Sequence, residues 1–264
     1  MEFKKLQYSV QDGIGTIQMT YPKNLNAIDE EMAEELLQAF QMAEDDTRVK
    51  IVVLKGGEKA FSAGGDIGFF YTNLKEKPID ELNGIFYKVG AVTEYMKKMG
   101  KLIIASVSGA AAGAGFSLAL SSDFTICADN AKFIMAFVNI GLVPDTGGAY
   151  LLYKALGEKK AMELCITGRP VKAEEAWKLG LVYDVVPAAD LLEETSKLAS
   201  RLAQGPLLSY KNIKKQLYAT ALSDYHQYLE QAEIPLQLEC IRSHDFAEGC
   251  AAFMEKRQAV FLGK

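Results

Sequence analysis

Two glycine- and alanine-rich turns and one aspartate are the places in this chain where residue type and spacing suit chemistry. Ala63-Gly64-Gly65-Asp66 and Gly109–Gly115 each follow the pattern of a core strand. Asp145 lies in a structured loop, Gly141-Leu142-Val143-Pro144-Asp145-Thr146-Gly147-Gly148. In Val107–Leu120, glycines at 109, 113 and 115 alternate with alanines, so no side chain stands over the turn. Either a ligand approaches the backbone closely there, or the helix that follows packs tightly on its neighbour. A helix beginning near Ala114 has free N–H groups in its first turn, suited to facing developing negative charge. If the two turns converge, each can aim one backbone N–H at the same oxygen. Such a pair stabilises an enolate or a tetrahedral oxyanion without a side chain.

Other chemistries find little support. His226 and His244 lie in a helical tail with no cysteine or acid at convincing ligand spacing, which argues against zinc and other metals. There is no GxSxG elbow for a serine nucleophile. There is no GxxxxGK followed by Ser or Thr, and no GxGxxG after the first strand, so neither a phosphate loop nor a dinucleotide fingerprint is present. Cysteines 127, 165, 240 and 250 are far apart in apolar surroundings, which fits a reducing compartment better than a disulfide framework. The 264 residues carry 29 basic and 34 acidic side chains, a net charge of −5 with no basic run, so nucleic-acid binding is not indicated. The start MEFKKLQYSV lacks an apolar signal core and no stretch reads as a membrane span, which points to a cytoplasmic protein with no membrane partner.

The elements that must position these residues follow from periodicity. Phe3–Val10 and Ile14–Met19 flank Asp12-Gly13 and read as a hairpin. Asp29 caps a helix to about Ala43, with Met32, Leu36, Leu37, Phe40 and Ala43 on one face. Strands are expected at Val49–Leu54, Leu102–Ser108, Phe124–Ala128, Ala131–Phe133 and Leu181–Val186. Helices are expected from Pro78 to about Met99, from Ala114 to Leu120, up to Leu156, and over Lys159–Ile166 and Lys172–Leu179. Residues 67–78, aromatic and basic without a period, read as a mobile surface segment, although a short helix should open after Asp66. Repeated strand, turn and helix imply α/β layering on a largely parallel sheet. From Leu191 the chain is helical, near 191–203, 207–221, 224–242 and 245–256, with Asp245 and Glu248 placed like a capping box.

Taken together, PKNLNAID at 22–29, FSAGGDI at 61–67, SGAAAGAGFSLAL at 108–120, IGLVPDTGG at 140–148 and ELCITGRPVKAEEAWKLGLVYDVV at 163–186 resemble the crotonase superfamily of enoyl-CoA hydratases and isomerases. The resemblance implies a crotonase spiral of repeated ββα units over residues 1–190. It implies a C-terminal helical region, 191–264, that assembles a homotrimer or a dimer of trimers. It further implies an acyl-CoA thioester substrate, with coenzyme A as part of the substrate and no other cofactor. By motif position, the oxyanion donors would be the N–H groups of Gly65 and Ala114. Lys23, Asn24, Leu25 and Ala27 would lie along the CoA, as would Ala63, Gly64, Gly65, Asp66 and Ile67. Lys256 and Phe261 are further CoA candidates from the tail.

The same resemblance marks a departure. The family's hydratases use two glutamates to activate and deliver water, and the matching positions here are Ser117 and Phe137. Asp145 matches the acidic base of several isomerase-type relatives, and one carboxylate suffices for a 1,3-proton shift. Phe137 and Phe116 could keep water from the intermediate, and Ser117 could orient a water or hydrogen-bond Asp145. The expected activity is therefore migration of an enoyl-CoA double bond. A hydratase with an atypical water site, a thioester hydrolase and a non-catalytic acyl-CoA-binding protein are the alternatives. Asp145 read only as a loop-stabilising residue, and Ser117 only as a small packing residue, also stay open.

Overall fold

β1 (Leu6–Gln11) and β2 (Ile14–Met19) pair antiparallel, Leu6 opposite Met19 and Gln11 opposite Ile14. Asp12 and Gly13 between them have φ of 51° and 81°, the left-handed pair that a two-residue turn between right-twisted strands requires. The computed structural model describes residues 3–264, apart from the side chain of Asp80. α1 (Glu30–Asp45) begins at Asp29, whose carboxylate accepts the Met32 amide at 3.0 Å. Lys5 pairs with the same carboxylate and ties the hairpin to the helix.

From β3 (Ile51–Lys55) the chain repeats one pattern: a strand, a short strand in a second sheet, then a helix. β4 (Ala60–Ser62) and α2 (Ile67–Glu76) follow β3, and α3 (Gly84–Lys98) leads back. β5 (Leu102–Val107), β6 (Ala110–Ala112) and α4 (Ala114–Ser121) form the next turn. β7 (Phe124–Ala128), β8 (Lys132–Ile134), a 3-10 turn at Ala136–Ile140 and α5 (Gly148–Leu156) form another. α6 (Glu158–Thr167), β9 (Pro170–Lys172), α7 (Ala173–Lys178) and β10 (Asp184–Val186) complete the spiral. Among the described residues the strands build two sheets, ordered β1-β2-β3-β5-β7-β10 and β4-β6-β8-β9. All pairings are parallel except β1 with β2 and β8 with β9. This is the crotonase-type α/β spiral.

Alternation along the central strands explains the layering. Ile51, Val53, Ile104 and Ile126 face α8 (Leu191–Ala203), which covers them with Leu191, Leu198 and Ala199. Val52, Leu54, Ile103, Ala105 and Cys127 face the larger core with α1, α3 and α4. A sheet buried on both faces needs apolar residues at every position, and these strands have them. α9 (Leu207–Ala221) and α10 (Tyr225–Tyr228) follow. A π-helical turn at Leu229–Glu233 then runs into α11 (Ile234–Ile241), and α12 (His244–Glu255) closes the chain's helices.

Several sequence expectations are corrected. Residues 67–76 form a helix rather than a mobile segment. The Asp66 carboxylate caps it by accepting the Phe69 amide at 3.0 Å, and Phe70 alone of its ten residues is fully buried, so no period shows in the sequence. The cap of α12 is Ser243, whose Oγ accepts the Phe246 amide at 3.1 Å, and not Asp245. Asp245 instead accepts the Leu262 and Gly263 amides of the tail, and Glu248 pairs with Arg257. β4, β6 and β9 lie in stretches that read as turns, because three residues rich in alanine or beginning with proline show no alternation. The expected helix at 224–242 is interrupted by the π turn. Pro235 lacks an N–H, and its ring displaces the carbonyl four residues back, at Gln231 inside that turn.

α4 meets β4 through bare backbone. A Cβ at Gly115 would stand 2.7 Å from the Ser62 carbonyl oxygen and 2.8 Å from the Ser62 Cβ. Gly115→Ala is expected to lower unfolding free energy by about 1–3 kcal/mol, read from urea denaturation. Unchanged stability would show slack between α4 and β4.

Candidate active site

The two glycine turns meet because they end adjacent parallel strands. β4 lies beside β6, Ala60 against Ala110 and Ser62 against Ala111, and each chain runs on in the same direction into its turn. Gly64 has φ of +88°, and a Cβ there would stand 2.5 Å from the Ala112 carbonyl oxygen and 3.4 Å from the Ala114 nitrogen. Only glycine fits that backbone and that space. Beyond it, Gly65 forms a parallel bridge with Ile28. The bonds of that bridge run from the Ile28 amide to the Gly64 carbonyl and from the Asp66 amide to the Ile28 carbonyl. The Gly65 N–H is therefore passed over and points away from Ile28. Ala114 is the first residue of α4, so its N–H has no partner within the helix.

The turn before α1 is stitched to the same place. Ala63 donates its amide to the Leu25 carbonyl at 3.0 Å, and Ser62 Oγ donates to the Asn26 carbonyl at 2.8 Å. Asn26 Nδ2 donates to the Phe61 carbonyl at 3.2 Å. Asn24 Nδ2 donates to Asp66 Oδ2 at 2.9 Å, so Asp66 serves both this turn and the cap of α2. Lys23, Asn24, Leu25 and Ala27 thus lie beside Ala63–Ile67, with Lys23 and Leu25 exposed. Lys256 and Phe261 are also exposed, at the end of α12 and in the tail that folds back on its first turn.

Ala63, Gly65, Ile67, Gly113, Ala114, Phe137 and Asp145 line one cleft of about 570 Å³ including its mouth. Ile28, Phe70, Ile85, Phe86, Val89, Ala136, Ile140 and Leu142 complete a largely apolar wall. Phe70 stacks on Phe86 with centroids 5.9 Å apart, and Phe246 of α12 packs edge-on behind Phe70 at 5.6 Å. Phe137 stands over Gly113, its ring 3.6 Å from where a Cβ would be. Phe116 does not line the cleft. It faces the core against Phe133, with ring centroids 5.2 Å apart. Ser117 is fully buried behind the wall and donates to the backbone carbonyl of Asp145 at 3.1 Å rather than to its carboxylate. Tyr71 and Lys75, in α2, pair with each other outside the cleft, the Lys75 Nζ 3.7 Å from the Tyr71 ring centre.

Asp145 is the one ionisable residue among those lining the cleft and is 7% exposed. Its Oδ1 accepts from Thr146 Oγ1 at 2.6 Å, and its Oδ2 from Gln237 Nε2 at 2.9 Å. Burial pushes its pKa up to about 6, against these two donors, which favour the charged form. A carboxyl poised there can take a proton and return it near neutral pH.

Sequence reading missed the residues behind Asp145. Gln237 Oε1 accepts the Val143 amide at 3.2 Å while its Nε2 holds Asp145, and Glu233 accepts the Gly147 amide with both oxygens, at 3.1 and 3.0 Å. Burial first, and then the charge of Asp145, raises Glu233 well above the usual carboxylate range. The signal available was an acid and an amide four residues apart within an otherwise apolar stripe, Leu229, Glu233, Gln237 and Ile241. His226 and His244 pair with surface acids, Glu94 at 3.0 Å and Asp245 at 3.3 Å. The described residues contain no cluster of three or more His, Cys, Asp or Glu able to hold a metal, and no helix long and apolar enough to cross a membrane.

The family model for enoyl-CoA hydratase/isomerase matches residues 9–264. The chain is 35% identical over 264 residues to the trans-2-decenoyl-acyl-carrier-protein isomerase of Streptococcus mutans, covering all of both chains. It is 34% identical over 271 aligned positions to a probable enoyl-CoA hydratase of Rhodobacter capsulatus, again over the full length of both. The crystal structure of an enoyl-CoA hydratase from Mycobacterium avium subsp. paratuberculosis K-10 superposes with a TM-score of 0.89 at 30% identity, covering 99% of this chain and 100% of that one.

The raised pKa of Asp145 has a consequence for stability. Between its ordinary value of 3.8 and about 6, the folded chain keeps a proton that the unfolded chain has released, so stability falls as pH rises through that window. Asp145→Asn removes the cost, and its amide can still accept from Gln237 while donating to Thr146. The variant is expected to be more stable than wild type by about 2–3 kcal/mol at about pH 8, with the gap closing below about pH 4. Denaturant melts across that range measure it, and a gap independent of pH would contradict the burial argument.

Proposed function

The chain belongs to the enoyl-CoA hydratase/isomerase family, and from that premise we propose that it moves the double bond of an enoyl thioester, with Asp145 carrying the proton. The observation that carries this reading is the single carboxylate in an apolar cleft whose neighbouring wall is made of two bare backbone turns. The thioester carbonyl binds with its oxygen at the Gly65 and Ala114 amides. Asp145 removes a proton from the carbon between the carbonyl and a 3-ene, and the electrons spread over a dienolate whose oxygen the two amides stabilise. The same carboxyl, now protonated, returns the proton to the far carbon, leaving the conjugated 2-ene. No water is consumed, and no second acid is required.

The surroundings support a hydrocarbon acyl chain. Ile67, Phe70, Ile85, Phe86, Val89 and Leu142 offer it no polar partner. Phe137 occupies the wall beside Gly113, where its ring excludes water and has no proton to exchange. Ser117 spends its hydroxyl on the Asp145 and Gly113 carbonyls, which leaves it a scaffold for the loop. The Lys23–Ala27 turn and the Ala63–Ile67 turn, bonded to one another, are the surface offered to the CoA part of the thioester. The relative in Streptococcus mutans is named for an acyl-carrier-protein substrate, and either carrier presents the same pantetheine thioester to this cleft.

Incubation with a 3-enoyl-CoA is expected to yield the 2-enoyl-CoA, followed by the rise in ultraviolet absorbance of the conjugated thioester. Asp145→Asn is expected to lower kcat by about 10²- to 10⁴-fold with a smaller change in KM. Accumulation of 3-hydroxyacyl-CoA would establish hydration instead, and release of free thiol would establish hydrolysis. Full turnover by Asp145→Asn would remove Asp145 from the reaction.

A further inference from the structure

The loop that carries Asp145 is strained and held from behind. Thr146 has φ of 59°, a conformation that β-branched residues rarely adopt, and Gly147 follows at 73°. Successive amides in such a turn form a concavity suited to an anion. The carboxyl group of Glu233 occupies it, both oxygens accepting from the Gly147 amide. Gly147 cannot carry a side chain, because the Tyr225 hydroxyl lies 1.7 Å from where its Cβ would be. One helical turn further on, Gln237 spends both ends of its amide on the same loop, at Val143 and Asp145. Glu233 is 3% exposed and Gln237 is 0% exposed. A buried carboxyl and a buried amide destabilise a helix face unless they are paired, and the hydrogen-bond partners of both side chains lie at residues 143–147.

We propose that Gln237 and Glu233 are positioning residues for Asp145, Gln237 fixing the rotation of its carboxylate and Glu233 holding the left-handed turn that aims it into the cleft. The π turn at Leu229–Glu233 belongs to the same device. It ends at Glu233, and Gln237 follows one helical turn later in α11, so the two side chains share the face that meets the loop. The C-terminal helical region thereby acts on the cleft of its own chain. The proposal rests on Asp145 as the proton carrier for its effect on turnover. Its effect on the carboxyl itself is independent of that reading.

The groups around Asp145 that can titrate are few. Glu233 faces it from the π turn. Tyr225 and Tyr228 of α10 stand near Glu233, with Cys165 of α6 beside Tyr228. Cys240 of α11 lies at the Val143 amide, and Glu94 of α3 lies beyond Tyr225 with His226 outside it. Gln237 is the neutral donor in this set. Its loss removes a bond to the charged form of Asp145 and moves that carboxyl's titration upward.

Gln237→Met, close in size and without the donor, is expected to lower kcat for 3-enoyl-CoA by about 10- to 100-fold with KM changed by less than about threefold. In the same variant the carbon-13 NMR titration of the Asp145 carboxyl is expected to move to higher pH. Gln237→Glu is expected to move it further, by adding a second acid beside Asp145. Glu233→Met is expected to lose kcat similarly, and Glu233→Gln, which keeps an oxygen for the Gly147 amide, to recover most of it. An unmoved Asp145 titration in both folded Gln237 variants, or wild-type kcat in folded Glu233→Met, would overturn the proposal. Failure of the proton-carrier reading looks different: Asp145→Asn would keep its turnover while the titration still moved in Gln237→Met.

Discussion

Gly64 and Gly113 stand where adjacent parallel strands run out, and one turn rests on the other with no side chain between them. This contact constrains the rest of the molecule. It exists because β4 and β6 belong to the small sheet while their predecessors, β3 and β5, belong to the large one, so each ββα unit delivers its turn to the same edge. A larger residue at Gly64 would meet the Ala112 carbonyl, and at Gly115 the Ser62 carbonyl, so the close approach is written into residue size. The helix that begins at Ala114 adds its own field to the place where the turns meet. Donors held by a fold in this way need no reorganisation when charge arrives, which is the main advantage of backbone amides over mobile side chains.

Across the cleft the constraint is of the opposite kind. Asp145 is kept out of water by packing, and that burial pushes its carboxyl pKa up to about 6. Two donors hold the ionised form and prevent burial from pushing the group further. The loop itself would relax out of a left-handed threonine if nothing gripped it. Tyr225 against Gly147 and Glu233 on the Gly147 amide supply that grip from a segment about eighty residues further along the chain. Strain, burial and hydrogen bonding at this loop are therefore one arrangement, spread over the spiral and the C-terminal helices.

Much of this was legible in the sequence, for local reasons. The Asp-Gly hairpin, the Asp29 cap, the apolar central strands and the helix starting at Ala114 each follow from residues within one or two turns of themselves. The two glycine turns and Asp145 stood out because small residues and an isolated acid in a shaped loop are uncommon beside buried strands. The failures were equally physical. α2 has only Phe70 fully buried, so the helix is set by a cap at one end and by α12 across from it, which no period records. Ser243 outcompeted Asp245 as a cap because the tail amides of Leu262 and Gly263 claim the aspartate. Phe116 and Phe137 look equally suited to line a cleft, yet the helical rotation of α4 turns Phe116 to the core. Glu233 and Gln237 gave no local sign of a role, since their partners lie 86 and 92 residues away.

The relatives include proteins named as hydratases and others named as isomerases, at similar identity over nearly the whole chain, so overall likeness does not separate the two reactions. What separates them is which groups face the acyl carbons. A hydration needs water held and deprotonated on one side of the double bond and a proton delivered on the other. The cleft is lined by one carboxyl and a phenylalanine ring, while the serine behind its wall is committed to a backbone carbonyl, and on the proposed reading that set suits moving a proton better than holding water. On that reading the supports of Asp145 would matter more than they would beside a second acid. A lone carboxyl proposed to take and return a proton would have to reach two carbons from one position, and the left-handed Thr146-Gly147 turn, bonded from behind by Glu233, is the element that would hold that position.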